Sequence, residues 1–188
     1  MHIIAKDLYA ARCKTFEYLR RRVPVIVLPD LDHCDSRVHD IQKCCCAAGL
    51  APMMSYLQNI RQDYVVLAGG DLAVNLPLQD IFETHMRNDA DITAVCTGHP
   101  MGDPKECDYF IVGAGGRITD VLVHPSIAQG CESLEVYILS KELLLSLVDH
   151  CAAHNIPSFS TGVLQPMVDA LKIFPYVFDG YAARLQSV

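Results

Sequence analysis

Asp63-Tyr64-Val65-Val66-Leu67-Ala68-Gly69-Gly70-Asp71 is the stretch on which the fold turns. The run from Tyr64 to Ala68 is short, continuous and apolar, the texture of a central strand buried on both faces. It breaks at Gly69 and Gly70, where the missing Cβ permits a tight turn and close approach by a ligand. Asp71 then places a carboxylate just past the end of the strand. Residues 78–88 return to helical periodicity through Leu78, Ile81, Phe82 and His85, and Ile92-Thr93-Ala94-Val95-Cys96 is a second β-rich run. Strand, acidic turn, helix and strand in that order put Asp71 where open α/β sheets gather their ligands.

Working outward, residues 5–20 carry Leu8, Ala11, Phe16 and Leu19 at helical spacing, and 23–28 form a buried strand stopped by Pro29-Asp30. A helix is predicted over 36–48, ending at Gly49, and another over 52–61 with Met53, Met54, Leu57 and Ile60 on one face. Beyond a loop at 98–106, strands at 109–112 and 118–124 are joined by a glycine turn, and a further strand covers 135–139. Ser140 is a fair N-cap for a helix over 141–153. A short helix at 163–171 and a strand at 173–178 complete a single domain.

The chain has 188 residues, the length of one α/β domain, with enough apolar content (51%) to build a core. No apolar run reaches the roughly 20 residues of a membrane span, and the N-terminus lacks the pattern of a secretory signal. A cytoplasmic location is therefore expected. A net charge of −7 argues against nonspecific binding to nucleic acid or anionic membranes. The cluster Arg20-Arg21-Arg22 suits the C-terminus of the preceding helix. Of the nine cysteines, Cys44, Cys45 and Cys46 are consecutive and no pair has C-x-x-C spacing. Helical neighbours point about 100° apart, so the triplet does not converge on one ion, and buried apolar thiols are the expectation.

Several segments together resemble the bacterial glucose-1-phosphate adenylyltransferase (ADP-glucose pyrophosphorylase) family. They are residues 63–71, Ile81-Phe82-Glu83-Thr84-His85 leading to Ala90-Asp91-Ile92-Thr93, Gly115-Gly116-Arg117-Ile118, Ser133-Leu134-Glu135-Val136-Tyr137-Ile138 and Phe178-Asp179-Gly180-Tyr181. The resemblance covers residues 52–188 and leaves 1–51 divergent. It implies a Rossmann-like nucleotide-diphospho-sugar transferase fold: an α/β domain with a mixed, mostly parallel central sheet flanked by helices. It also implies adenylyl transfer from ATP to glucose 1-phosphate with Mg²⁺. The family's left-handed β-helix, which follows the final strand, has no counterpart here, so the chain is expected to be the nucleotidyltransferase domain only.

Set against that chemistry, the residues fall short. A divalent ion needs carboxylates, and transferring phosphates need glycine amides and cations. Asp71 takes the position of the metal-binding aspartate, with Gly69 and Gly70 on the nucleotide side. No glycine-rich basic loop is found in residues 1–50. The family's Glu-Lys-Pro aligns with Val123-His124-Pro125, where valine accepts no sugar hydroxyl and a neutral imidazole is a weak stand-in for an ammonium. Ser133 matches a sugar-contacting serine, and His124, Ser133 and Tyr181 are assigned to the sugar-phosphate pocket. The second metal aspartate is expected near Arg184, whose charge opposes Mg²⁺.

The pattern resembles the non-catalytic regulatory subunit of that family, working beside a catalytic glucose-1-phosphate adenylyltransferase subunit in glycogen synthesis. ATP, ADP-glucose and glucose 1-phosphate are the expected ligands; Mg²⁺ is needed only if the chain is active, and otherwise no cofactor. An active nucleotidyltransferase and a sugar-phosphate or nucleotide-binding module without turnover are the alternatives. Each site residue also has a plainer role: Asp71 as a turn cap, His124 as a solvent-facing strand end, Ser133 as a strand residue, Tyr181 as a core closure. His85 reads as a packed, hydrogen-bonded histidine. His150 and His154 lie four apart on a predicted helix, a chelating spacing with no third ligand evident.

Overall fold

The computed structural model describes residues 2–6, 25–28, 54–69, 72–154, 156 and 158–184. Its strands are β1 (His2–Lys6), β2 (Val25–Leu28), β3 (Tyr64–Ala68), β4 (Leu72–Val74), β5 (Ile92–Thr97), β6 (Asp108–Val112), β7 (Ile118–Val123), β8 (Cys131–Ser140), β9 (Ile173–Val177) and β10 (Ala182–Arg184). The helices are α1 (Met54–Asn59), α2 (Leu78–Arg87), α3 (Lys141–His154) and the short α4 (Gln165–Met167), which continues a π-helical turn over Ser160–Leu164. A 3₁₀ turn, Pro104–Glu106, interrupts the loop after β5, with the Asp103 carboxylate accepting from the Lys105 amide.

An eight-stranded sheet runs in the order β2-β1-β3-β8-β5-β9, with β6 paired to both β8 and β7. β1 is parallel to β2 and β3, and β5 to β9. β8 is antiparallel to β3, β5 and β6, and β6 to β7. The sheet is thus mixed, and the expectation of a mostly parallel one is corrected. The reason is connectivity. A parallel neighbour needs a crossover of about a dozen residues or more, whereas β6 and β7 pair as a hairpin through a short turn and β8 returns along the other side of β6. β8 lies on the other side of β6 from β7, antiparallel to β6 and, in the middle of the sheet, to β3 and β5.

Side-chain alternation divides the sheet into two cores. Val65, Leu67, Tyr137 and Leu139 face one side, where Leu57 of α1 and Leu144, Leu147, Val148 and Cys151 of α3 cover them. Val66, Val136 and Ile138 face the other, with Ile81 of α2 and Phe178. Helices thus lie on both faces of a sheet whose middle strands are buried, and each large aliphatic side chain removed from water contributes about 1.5–3 kcal/mol. Ser140 caps α3 as expected, its Oγ accepting from the Leu143 amide at 3.1 Å.

Other boundaries moved. Residues 5 and 6 belong to β1 rather than to a helix, because the Ile3-Ile4 run is drawn between β2 and β3. The helix expected over 163–171 starts at the π turn and gives way to turn structure after Met167. Most of the predicted helix at 5–20, the helix at 36–48, Arg20 to Arg22 and the cysteine triplet lie outside the described residues. Of the described cysteines, Cys96, Cys107 and Cys151 are buried and Cys131 is half-buried, all as free thiols.

Candidate functional site

The carboxyl ends of β3 and β5 meet the start of β8, and there the ladder is irregular. Val95 pairs with Val136, but the next residue, Cys96, pairs with Ser133, so Leu134 and Glu135 form a bulge. Glu135 has φ +53°, a left-handed conformation that is costly for a residue with a Cβ. Bulges re-aim side chains, and this one is held from within. Ser133 Oγ accepts from the Glu135 amide at 3.1 Å and lies 3.4 Å from the Tyr137 hydroxyl. The Glu135 carbonyl accepts from the Gly69 amide at 3.1 Å, tying the bulge to the end of β3.

Arg184 completes the corner. β10 pairs antiparallel with β4, with Arg184 opposite Leu72, the residue that follows Asp71. Its guanidinium donates to Glu135 Oε1 at 3.0 Å and to the Ser133 carbonyl at 3.2 Å, and Nε lies 4.0 Å from Glu132 Oε1. The Glu132 side chain is fully buried, and its Oε2 accepts from the Met101 amide at 2.8 Å and faces the Tyr109 hydroxyl at 3.4 Å. Two carboxylates out of bulk water beside one guanidinium form a charge-assisted cluster, and a buried charge requires such partners. Burial, reinforced by Glu132 and opposed by Arg184, pushes the Cys107 thiol up to about 11. Burial and Glu132 push the Tyr109 phenol up to about 12. Both groups stay protonated at neutral pH, so neither is an activated nucleophile.

The expected site residues are placed unevenly. Gly69 is buried at the end of β3. Gly70 and Asp71, the proposed nucleotide-side glycine and metal carboxylate, lie outside the described residues. Ser133 is fully buried, with its hydroxyl engaged inside the bulge. His124 follows β7 with φ +47°, half-exposed, its Nε2 3.8 Å from Asp108 Oδ1. Through β6 the ladder sets it two strands from β8: Asp108 pairs with Val123 and Tyr109 with Glu132. Tyr181, 78% exposed, precedes β10 and closes no core.

For Mg²⁺, the described part of this corner is a poor fit. Mg²⁺ asks for near-octahedral oxygen ligands, and here two carboxylates already border a guanidinium. Among the described residues, no group of three or more His, Cys, Asp and Glu is placed to hold a metal ion.

Sequence reasoning missed Glu132 and the bulge at Glu135. A signal was present: two carboxylates three apart in an otherwise apolar strand need a cation nearby. Other quoted segments have structural roles. The Asp91 carboxylate accepts from the Lys172 amide at 2.7 Å, fixing β9 beside β5. Arg117 donates to the carbonyls of Val168, Asp169 and Leu171 and so caps the turn after α4. His85 is buried, with Nδ1 2.9 Å from Thr93 Oγ1 and its ring against Tyr64 and Phe82.

No protein-family model matches the chain. Glucose-1-phosphate adenylyltransferase from Nitrosospira multiformis is 21% identical over 141 residues, covering 70% of this chain and 33% of its own length. The likeness suggests that family at most, and the matched region spans about a third of that relative. The described residues form an α/β domain with a mixed sheet between helices. Among them, no helix is long and apolar enough to cross a membrane.

Proposed function

We propose that this chain is a non-catalytic, regulatory or structural relative of glucose-1-phosphate adenylyltransferase, with a Rossmann-like domain that works through a catalytic partner subunit in glycogen synthesis. The observation that carries the reading is Arg184 bound to Glu135 and to the Ser133 carbonyl, at the end of the sheet where open α/β folds collect ligands. A guanidinium already neutralises carboxylates that a divalent ion would otherwise attract. His124, just after β7, further weakens the case for phosphate transfer, since its ring faces Asp108 rather than presenting a permanent ammonium. The distant likeness to an adenylyltransferase supports the family part of the reading.

In this reading ATP, ADP-glucose or glucose 1-phosphate binds without being turned over, His124, Ser133 and Tyr181 belong to the sugar-phosphate side, and the location is cytoplasmic. Gly69, Gly70 and Asp71 mark the nucleotide side, with Asp71 as a surviving corner of a metal site. The deciding experiment measures pyrophosphate release from ATP and glucose 1-phosphate in the presence of Mg²⁺. The chain alone is expected to give none and to alter the rate or effector response of a catalytic subunit. Turnover by the purified chain alone defeats the proposal.

A further inference from the structure

Helix α3 ends in two imidazoles that the corner around Arg184 does not use. His150 and His154 are exposed, one turn apart, at the C-terminus of the helix. Their ring centroids are 4.5 Å apart, with planes inclined at 37°. Two imidazoles sharing one ion at metal–nitrogen distances of about 2.0–2.1 Å, at roughly right or tetrahedral angles, have centroids about 4.5–5 Å apart. The rings therefore already stand at a chelating separation.

The hydrogen bonding adds a second, independent point. His154 Nδ1 is 2.8 Å from the carbonyl oxygen of His150. A carbonyl only accepts, so Nδ1 carries the proton and donates, and in the neutral ring Nε2 then keeps its lone pair for an ion. A ligating histidine whose other nitrogen donates to a backbone carbonyl is the arrangement that fixes tautomer and ring orientation in metal sites. Position contributes a third. The last turn of a helix carries unpaired carbonyls and the negative end of the macrodipole, both favourable to a cation.

We propose that His150 and His154 form a site for one late first-row divalent ion, Ni²⁺ or Zn²⁺, held through both Nε2 atoms. Imidazole suits these ions, while Mg²⁺ and Ca²⁺ prefer oxygen. Among the described residues no third side chain joins the pair, so water completes the coordination. The site is separate from the corner around Arg184 and does not depend on the function proposed for it.

The test is calorimetric titration of the full chain with Ni²⁺ alone, a probe less drawn to thiolates than Zn²⁺. The wild-type chain is expected to take one Ni²⁺ that the His150→Gln/His154→Gln double variant does not. Each single variant should raise the Kd at least tenfold, and Mg²⁺ should give no heat at this site. In NMR spectra, the ring signals of both histidines should broaden together as Ni²⁺ is added. Both side chains are exposed, so the variants should keep the wild-type circular dichroism. Unchanged Ni²⁺ stoichiometry and affinity in the double variant, broadening of one ring without the other, or no Ni²⁺ uptake by the wild type would each overturn the proposal.

Discussion

β8 has two halves of different character. From Val136 to Leu139 it is paired on both sides, with β3 and β5, and its side chains alternate into the two cores. From Cys131 to Glu135 it lies against β5 and β6, its ladder is broken by a bulge, and two of its five residues are carboxylates facing Arg184. One half is fixed by the exclusion of water and the other by the need to neutralise charge. The same strand thus anchors the fold and holds the polar chemistry at one end of the sheet.

The largest effect is expected in the apolar half. Leu139→Ala removes a fully buried side chain from the larger core and should cost about 4 kcal/mol, read as a lower urea midpoint with an unchanged slope. A loss below about 1 kcal/mol would mean that this half is less tightly packed than described. In the polar half, Arg184→Met should cost about 3 kcal/mol, because Glu132 and Glu135 lose the guanidinium beside them. Combined with Glu135→Gln, the loss should be smaller than the sum of the two single effects. Strict additivity would show that the pair does not act as a unit.

A smaller effect sharpens the contrast from the other side. Thr93 pairs with Ile138 and, with His85, is a polar insertion beside the apolar half. Thr93→Val should cost about 1 kcal/mol in thermal unfolding, the usual worth of one neutral hydrogen bond. The pH dependence is subtler still. Burial holds the His85 imidazole below its ordinary 6.5, against the pull of Asp91 and Asp89. As pH falls below about 6.5, the unfolded chain takes up a proton that the folded one resists, so stability declines with acid. It should be flat in this respect above that pH. His85→Gln should flatten the decline, and an unchanged profile would assign it to other groups.

How much of this was legible in the sequence follows the same division. β3, α2, β5 and the capped start of α3 were readable, because long apolar periods and a serine cap are local signals. The direction of β8 was not, since it depends on which neighbours the strand finds. β4 and β10 escaped notice because three residues apiece carry too little pattern. At the site, Arg184 stood out as a charge in the wrong place, but its partners did not. Pairing between residues 132 and 184 depends on tertiary contact, and the left-handed turn at Glu135 is invisible without coordinates. The buried hydroxyl of Ser133, engaged within the bulge, is likewise a fact of three dimensions.

The pairing of Glu135 with Arg184 also bears on the chain's history. Changing the arginine alone strands acidic groups, and changing the glutamate alone leaves a cation facing Glu132 and a carbonyl. Losing Arg184 first passes through a less stable protein, whereas losing Glu135 first still leaves the buried Glu132 beside the guanidinium. A lineage in which this contact has formed therefore meets a barrier to undoing it by successive point mutations. Descendants that have lost the arginine are expected to have replaced Glu132 as well as Glu135.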